Sequence, residues 1–85
     1  MKRARQFYER LAQADGPPLR KALAYFRLGK IQERMGEPHA AQASYEQAIA
    51  RWEKLSEDRP DRSEYLTQLQ EGRQRLQLLA SRSTP

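Results

Sequence analysis

Apolar residues recur every three or four positions in four stretches of the chain. Ala4, Phe7, Leu11 and Ala14 form the first, and Leu19, Ala22, Tyr25, Leu28, Gln32 and Met35 the second, with Gln32 as a polar interruption. Ala41, Tyr45, Ala48, Trp52 and Leu55 form the third; Tyr65, Leu69, Gly72, Leu76 and Leu79 form the fourth. This period brings residues onto one side of a helix, so each stretch predicts a helix with one buried face.

Helix breakers separate the stretches. Asp15-Gly16-Pro17-Pro18 ends the first, because proline lacks an amide donor and restricts the residue before it. In Gly36-Glu37-Pro38, Gly36 suits a left-handed helix end and Pro38 the first turn of the next helix. Ser56-Glu57-Asp58-Arg59-Pro60 is the third break, and Asp61-Arg62-Ser63-Glu64 after it has the form of a capping box. The predicted helices run over 2–14, 19–35, 38–56 and 61–81, within one domain spanning 1–81. A polar tail, 82–85, is expected to be disordered. Breaks this short favour antiparallel helical hairpins.

Composition narrows the picture. A chain of 85 residues has room for one domain, and at this size only about 60–65% of the unfolded surface is buried, so an enzyme core with a deep pocket is not expected. The apolar inventory is mostly Leu and Ala, with no Val, and the β-branched residues are Ile31, Ile49, Thr67 and Thr84. Strands lack the residues that fill a pleated surface, so the fold class is all-α. Without Cys there is no disulfide, thiolate zinc site or Cys nucleophile, and His39 is the single histidine. No cofactor and no metal are expected. No apolar run approaches the roughly 18 residues of a membrane span, and the chain is expected to be soluble and cytoplasmic.

The middle of the chain carries the specific signal. Ala22-x2-Tyr25-x2-Leu28-Gly29 is followed by the Gly36 turn and then by Ala41-x3-Tyr45-x2-Ala48. This constellation over residues 22–55 resembles the tetratricopeptide repeat, a helix–turn–helix of about 34 residues with small and aromatic residues at fixed offsets. Gly29 and Ala41 would sit where the two helices cross closely, and Tyr25 and Tyr45 where they diverge and a gap must be filled. Glycine in mid-helix costs about 1 kcal/mol relative to Ala, so Gly29 needs a packing reason. Gln32 departs from the family's usual Tyr, and Glu53 from a frequent Pro, which makes the third helix longer than the family minimum. The flanking helices 2–14 and 61–81 look like partial repeats. The resemblance implies a fragment of a right-handed α-solenoid built from antiparallel hairpins.

What the resemblance implies for function is protein–protein interaction without catalysis, holding a peptide or a partner's helix on a concave surface lined by first helices. On helix 19–35, Leu23, Phe26, Arg27, Lys30, Glu33 and Arg34 would face that side. Leu23, Phe26, Arg27, Lys30 and Arg34 are its candidate binding residues, with Arg27, Lys30 and Arg34 placed to pair with carboxylates of an acidic protein or peptide partner. The alternative use of these cations is a solvated face in which Lys30 and Arg34 pair with Glu33 and Glu37. Phe26, outside the main stripe, is either a contact with helix 2–14 or an exposed anchor.

Two further readings are open. Tyr65, Leu69, Leu76 and Leu79 could form the seam of a homodimer, or else pack within the chain onto the repeat. The net charge of +5 belongs to the N-terminal arm, where Lys2, Arg3, Arg5, Arg10, Arg20 and Lys21 interleave with Phe7 and Tyr8. Such an arm could bind nucleic acid or an anionic surface, but no recognised nucleic-acid-binding motif is present, and Phe7 and Tyr8 are explained as core. Ser44, Ser56 and Ser63 have no paired base. Trp52 is expected to pack against helix 61–81.

Overall fold

The computed structural model describes residues 2–83. Among them lie four helices, α1 (Lys2–Gln13), α2 (Pro18–Arg34), α3 (Pro38–Asp58) and α4 (Ser63–Ser83), and no strand. Consecutive helices pack on one another, α1 on α2, α2 on α3 and α3 on α4, as antiparallel hairpins. None is long and apolar enough to cross a membrane. Each boundary lies within about two residues of its sequence-based expectation, the spread normal for helix ends.

The turn chemistry explains where the helices stop. Pro18 and Pro38 each open a helix, where a missing amide donor costs nothing. Gly36 has φ 73°; its amide donates to the Glu33 carbonyl at 3.1 Å, and the Glu37 amide donates to Gln32 at 2.9 Å. That pair of bonds is the Schellman closure of a helix end, and it needs the left-handed backbone that glycine adopts without strain. The expected capping box does not form. α4 begins at Ser63, leaving Asp61 outside the helix, and Glu64 pairs instead with Arg62 at 3.6 Å. α4 also continues through Ser83, so part of the expected disordered tail is helical, while Thr84 and Pro85 lie outside the described residues.

The core forms where α3 is flanked by α2 and α4. Tyr45 and Trp52 are its largest fully buried side chains, joined by Ala22, Phe26, Ala41, Ala48, Ile49, Leu69 and Leu79. Tyr25, Leu55, Tyr65 and Leu76 pack against this cluster from its edge. Trp52 meets α4 as expected, its ring 6.0 Å from that of Tyr65. The proposed dimer seam is thereby consumed: Leu69 and Leu79 are buried, and Tyr65 and Leu76 are packed, inside a single chain.

Gly29 has its packing reason. A Cβ there would stand 2.7 Å from the ring of Tyr45, closer than van der Waals contact allows. Tyr45 therefore lies on Gly29 rather than in a diverging gap. Gly72 does the same on the other flank, where a Cβ would meet Ile49 Cγ1 at 3.1 Å.

The first helix differs most from expectation. Ala12 is its buried residue, whereas Ala4, Phe7 and Ala14 are exposed and Leu11 is half-buried. Leu19, expected in the buried stripe of α2, is exposed as well. The stripe of α1 faces outward because α1 packs mainly against α2 and lacks a second neighbour among the described residues.

Gly29→Leu should overpack the Tyr45 contact and lower stability by about 1–3 kcal/mol. Most of that loss should vanish in a Tyr45→Ala background, measured as a double-mutant cycle by urea unfolding. Leu69→Ala should cost about 2–4 kcal/mol, with a thermal midpoint that does not depend on protein concentration because the residue is buried within one chain.

Candidate functional site

The packing that pins α2 through Gly29 and Phe26 decides which residues it turns outward. Phe26 is 3% exposed and meets the ring of Tyr45 edge-on at 5.8 Å. It is a core residue, neither an exposed anchor nor a contact that defines the α1 side. Leu23 is 40% exposed. Arg27 and Arg34 are exposed too, and neither makes an ion pair among the described residues. Lys30 is engaged twice, with Nζ 4.6 Å above the Phe26 ring and 3.5 Å from a Glu71 carboxylate oxygen.

The acidic side chains expected to lace this face turn elsewhere. Glu37 accepts from the Arg5 guanidinium at 3.0 Å, tying α1 to the turn between α2 and α3. Glu33 accepts from the Tyr45 hydroxyl and lies 3.6 Å from Arg75. Arg75 Nε in turn lies 3.3 Å from Glu71. Carboxylates near α2 are thus held by α1, α3 and α4, and a recess of about 410 Å³ lined by Lys30, Glu33, Arg34 and Arg75 opens beside them. Deeper in, Ser44 donates to Gln32 Oε1 at 2.6 Å. That bond gives the unexpected polar residue of the α2 stripe a partner and so offsets its burial.

A second recess lies on the other side of α2, where sequence periodicity predicted core. Phe7 of α1 is 53% exposed and Leu19 of α2 is 37% exposed. With Leu11, Leu23 and Ala24 they line a trough of about 460 Å³ bordered by Arg20 and Arg27. Tyr8 is half-buried beside Phe7, at 5.1 Å and nearly perpendicular to it. The four-residue step from Leu19 to Leu23 to Arg27 could have indicated this face, but it was obscured by the competing stripe through Leu19 and Ala22. Among the described residues no group of three His, Cys, Asp or Glu side chains could hold a metal ion.

The family model of the tetratricopeptide repeat matches residues 22–51, which covers α2 from Ala22 onward, the Gly36 turn and the first two-thirds of α3. No curated protein and no solved structure is significantly similar to the chain.

Burial of Tyr45, and after it the carboxylate of Glu33, raises the pKa of the phenol well above its ordinary value. The unfolded chain loses that proton near pH 10 while the folded chain keeps it, so the contribution is full below about pH 10 and is lost as pH rises toward the folded value. Tyr45→Phe should therefore flatten the decline of the urea midpoint above about pH 10. An unchanged slope would count against this account.

Proposed function

From residues 22–51, which belong to the tetratricopeptide-repeat family, we propose that the chain is a non-catalytic interaction module holding an acidic segment of a partner protein along α2. The observation that carries this reading is the pair of exposed cations Arg27 and Arg34, without an ion pair among the described residues, on an α2 surface that also presents Leu23. A guanidinium without an internal partner is available for bidentate pairing with a carboxylate. Lys30 adds positive potential from the same side, although its ammonium group is shared with Glu71.

The fold supports the reading in a second way. α2 is fixed by its buried face against α3, so the outward side chains start from a rigid backbone and a partner pays little ordering entropy there. Long-range attraction from the positive surface would speed encounter with an acidic segment and would fall with added salt.

Arg27→Glu/Arg34→Glu should retain the helical circular dichroism of the parent, since both side chains are exposed. It should recover partners captured by the parent protein at least about tenfold less well. Equal recovery of every partner would remove α2 as the binding face.

A further inference from the structure

The trough between α1 and α2 has a chemistry of its own. Phe7, Leu19 and Leu23 are large apolar side chains left open to solvent, and they converge on one depression instead of being scattered. Single exposed apolar residues need no explanation, but a shared apolar depression marks an interaction site. On the other flank of Phe7 and Leu11 lies a companion recess of about 470 Å³. Arg3 and Arg10 line that recess and Arg20 and Arg27 line the trough, and neither has an acidic residue in its lining among the described residues.

The walls restrict what can bind. Both are helices, whose backbone donors and acceptors are largely satisfied internally, so the trough offers an incoming main chain few partners. An extended peptide would bury its own amides and carbonyls unpaired, whereas a helix brings a backbone already bonded. The seam between two packed helices is also the shape into which the side-chain ridge of a third helix fits.

Charge selects the kind of helix. Residues 1–34 hold nine Lys and Arg against three Asp and Glu, and residues 35–85 hold seven against eight. A second copy docked through the same surface would set two strongly positive faces against each other. An acidic helix would neutralise them.

We propose that this trough receives an amphipathic helix of a partner protein. Its apolar ridge seats on Phe7, Leu11, Leu19 and Leu23, and carboxylates on its two flanks pair with arginines bordering the trough and the companion recess. The inference rests on the functional reading above for the acidic character of the partner. It selects a helix over an extended peptide and adds a seat centred on the α1–α2 seam. α1 has 12 residues, which corresponds to about 18 Å of helix, so about three to four turns of the partner are accommodated.

The test uses a fluorescent designed peptide of about 16 residues, with Leu at helical three- and four-residue spacing, Glu on both flanks and Ala elsewhere. A peptide of identical composition with scrambled Leu positions is the control. The amphipathic peptide should bind, gain helicity on binding, and exceed the scrambled one in affinity by at least about tenfold. Phe7→Asp and Leu23→Asp should each weaken it by about tenfold or more, while Arg59→Glu, in the exposed turn between α3 and α4 and outside the trough, should change it by less than about threefold. Circular dichroism confirms that each variant is folded, and the milder Leu23→Ala stands in for an aspartate variant that is not.

Equal binding of both peptides, sensitive to Arg27→Glu/Arg34→Glu but not to Leu23→Asp, would overturn the helix receptor while leaving the acidic-segment reading in place. Failure of the amphipathic peptide to bind at low salt would overturn it as well. So would a dimer in sedimentation equilibrium that Phe7→Asp converts to monomer, because a second copy would then fill the trough. Tighter binding of a short oligonucleotide, indifferent to Leu23→Asp, would identify a nucleic-acid face and equally reject the proposal.

Discussion

The contact between Gly29 and the ring of Tyr45 sets the geometry on which the other packing depends. A side chain on Gly29 would have to occupy the volume of a fully buried aromatic ring, so the small residue lets α2 and α3 approach while the ring fills their seam. One turn later on α3, Ile49 meets Gly72 of α4 in the same way. α3 is therefore seated between two glycines on opposite neighbours. The helix-propensity cost of about 1 kcal/mol for each glycine is set against aromatic and aliphatic burial worth roughly 1.5–3 kcal/mol per side chain.

That seating also arranges the polar groups. The hydroxyl end of the Tyr45 ring reaches Glu33, Glu33 lies by Arg75, and Arg75 and Lys30 share Glu71. These pairs are partly exposed, and each contributes at most about 1 kcal/mol to stability. Their larger effect is on the surface: they occupy the carboxylates nearest α2 and leave Arg27 and Arg34 without an ion pair among the described residues. The indole N–H of Trp52 is a different case, buried without a hydrogen-bond partner among the described residues. A lone unpaired donor costs about 1–3 kcal/mol, which burial of the remainder of the ring can offset.

The sequence carried the architecture well and the outer surface poorly. Proline and glycine act locally, so the breaks at Pro18, Gly36 and Pro38 could be placed without knowledge of the packing. The offsets around Gly29 pointed to a close helix pair because mid-helix glycine is otherwise costly. Periodicity failed where a helix has several neighbours or too few. α2 packs on both α1 and α3, so Ala24 and Phe26 are buried in addition to the single stripe that three- and four-residue spacing identifies. α1 has the converse problem: its stripe is as regular as the others, but among the described residues no second helix lies across from Phe7, which is exposed. The residues proposed for binding were partly legible because Leu23, Arg27 and Arg34 share a face in any straight helix. The fate of Phe26 and Lys30 was not, since it depends on Tyr45 and Glu71, which are distant in sequence.

Uncovered apolar surface and excess positive charge coincide on the same part of the molecule, and the coincidence has a physical reason. An apolar trough flanked by neutral residues would promote indiscriminate association. Arginines bordering it keep it wetted, because a guanidinium is charged at any physiological pH and its aliphatic stem can lie over apolar surface while the head remains hydrated. Repulsion between like-charged surfaces then discourages the trough from pairing with its own copy. On the proposed reading, the arginines that keep the trough wetted would thus also discriminate among partners: a helix with carboxylates beside its apolar ridge would gain ion pairs on docking, a neutral one would desolvate arginines without compensation, and a basic one would be repelled. Selectivity would then follow from the cations at the rim and affinity from Phe7, Leu11, Leu19 and Leu23 at the base.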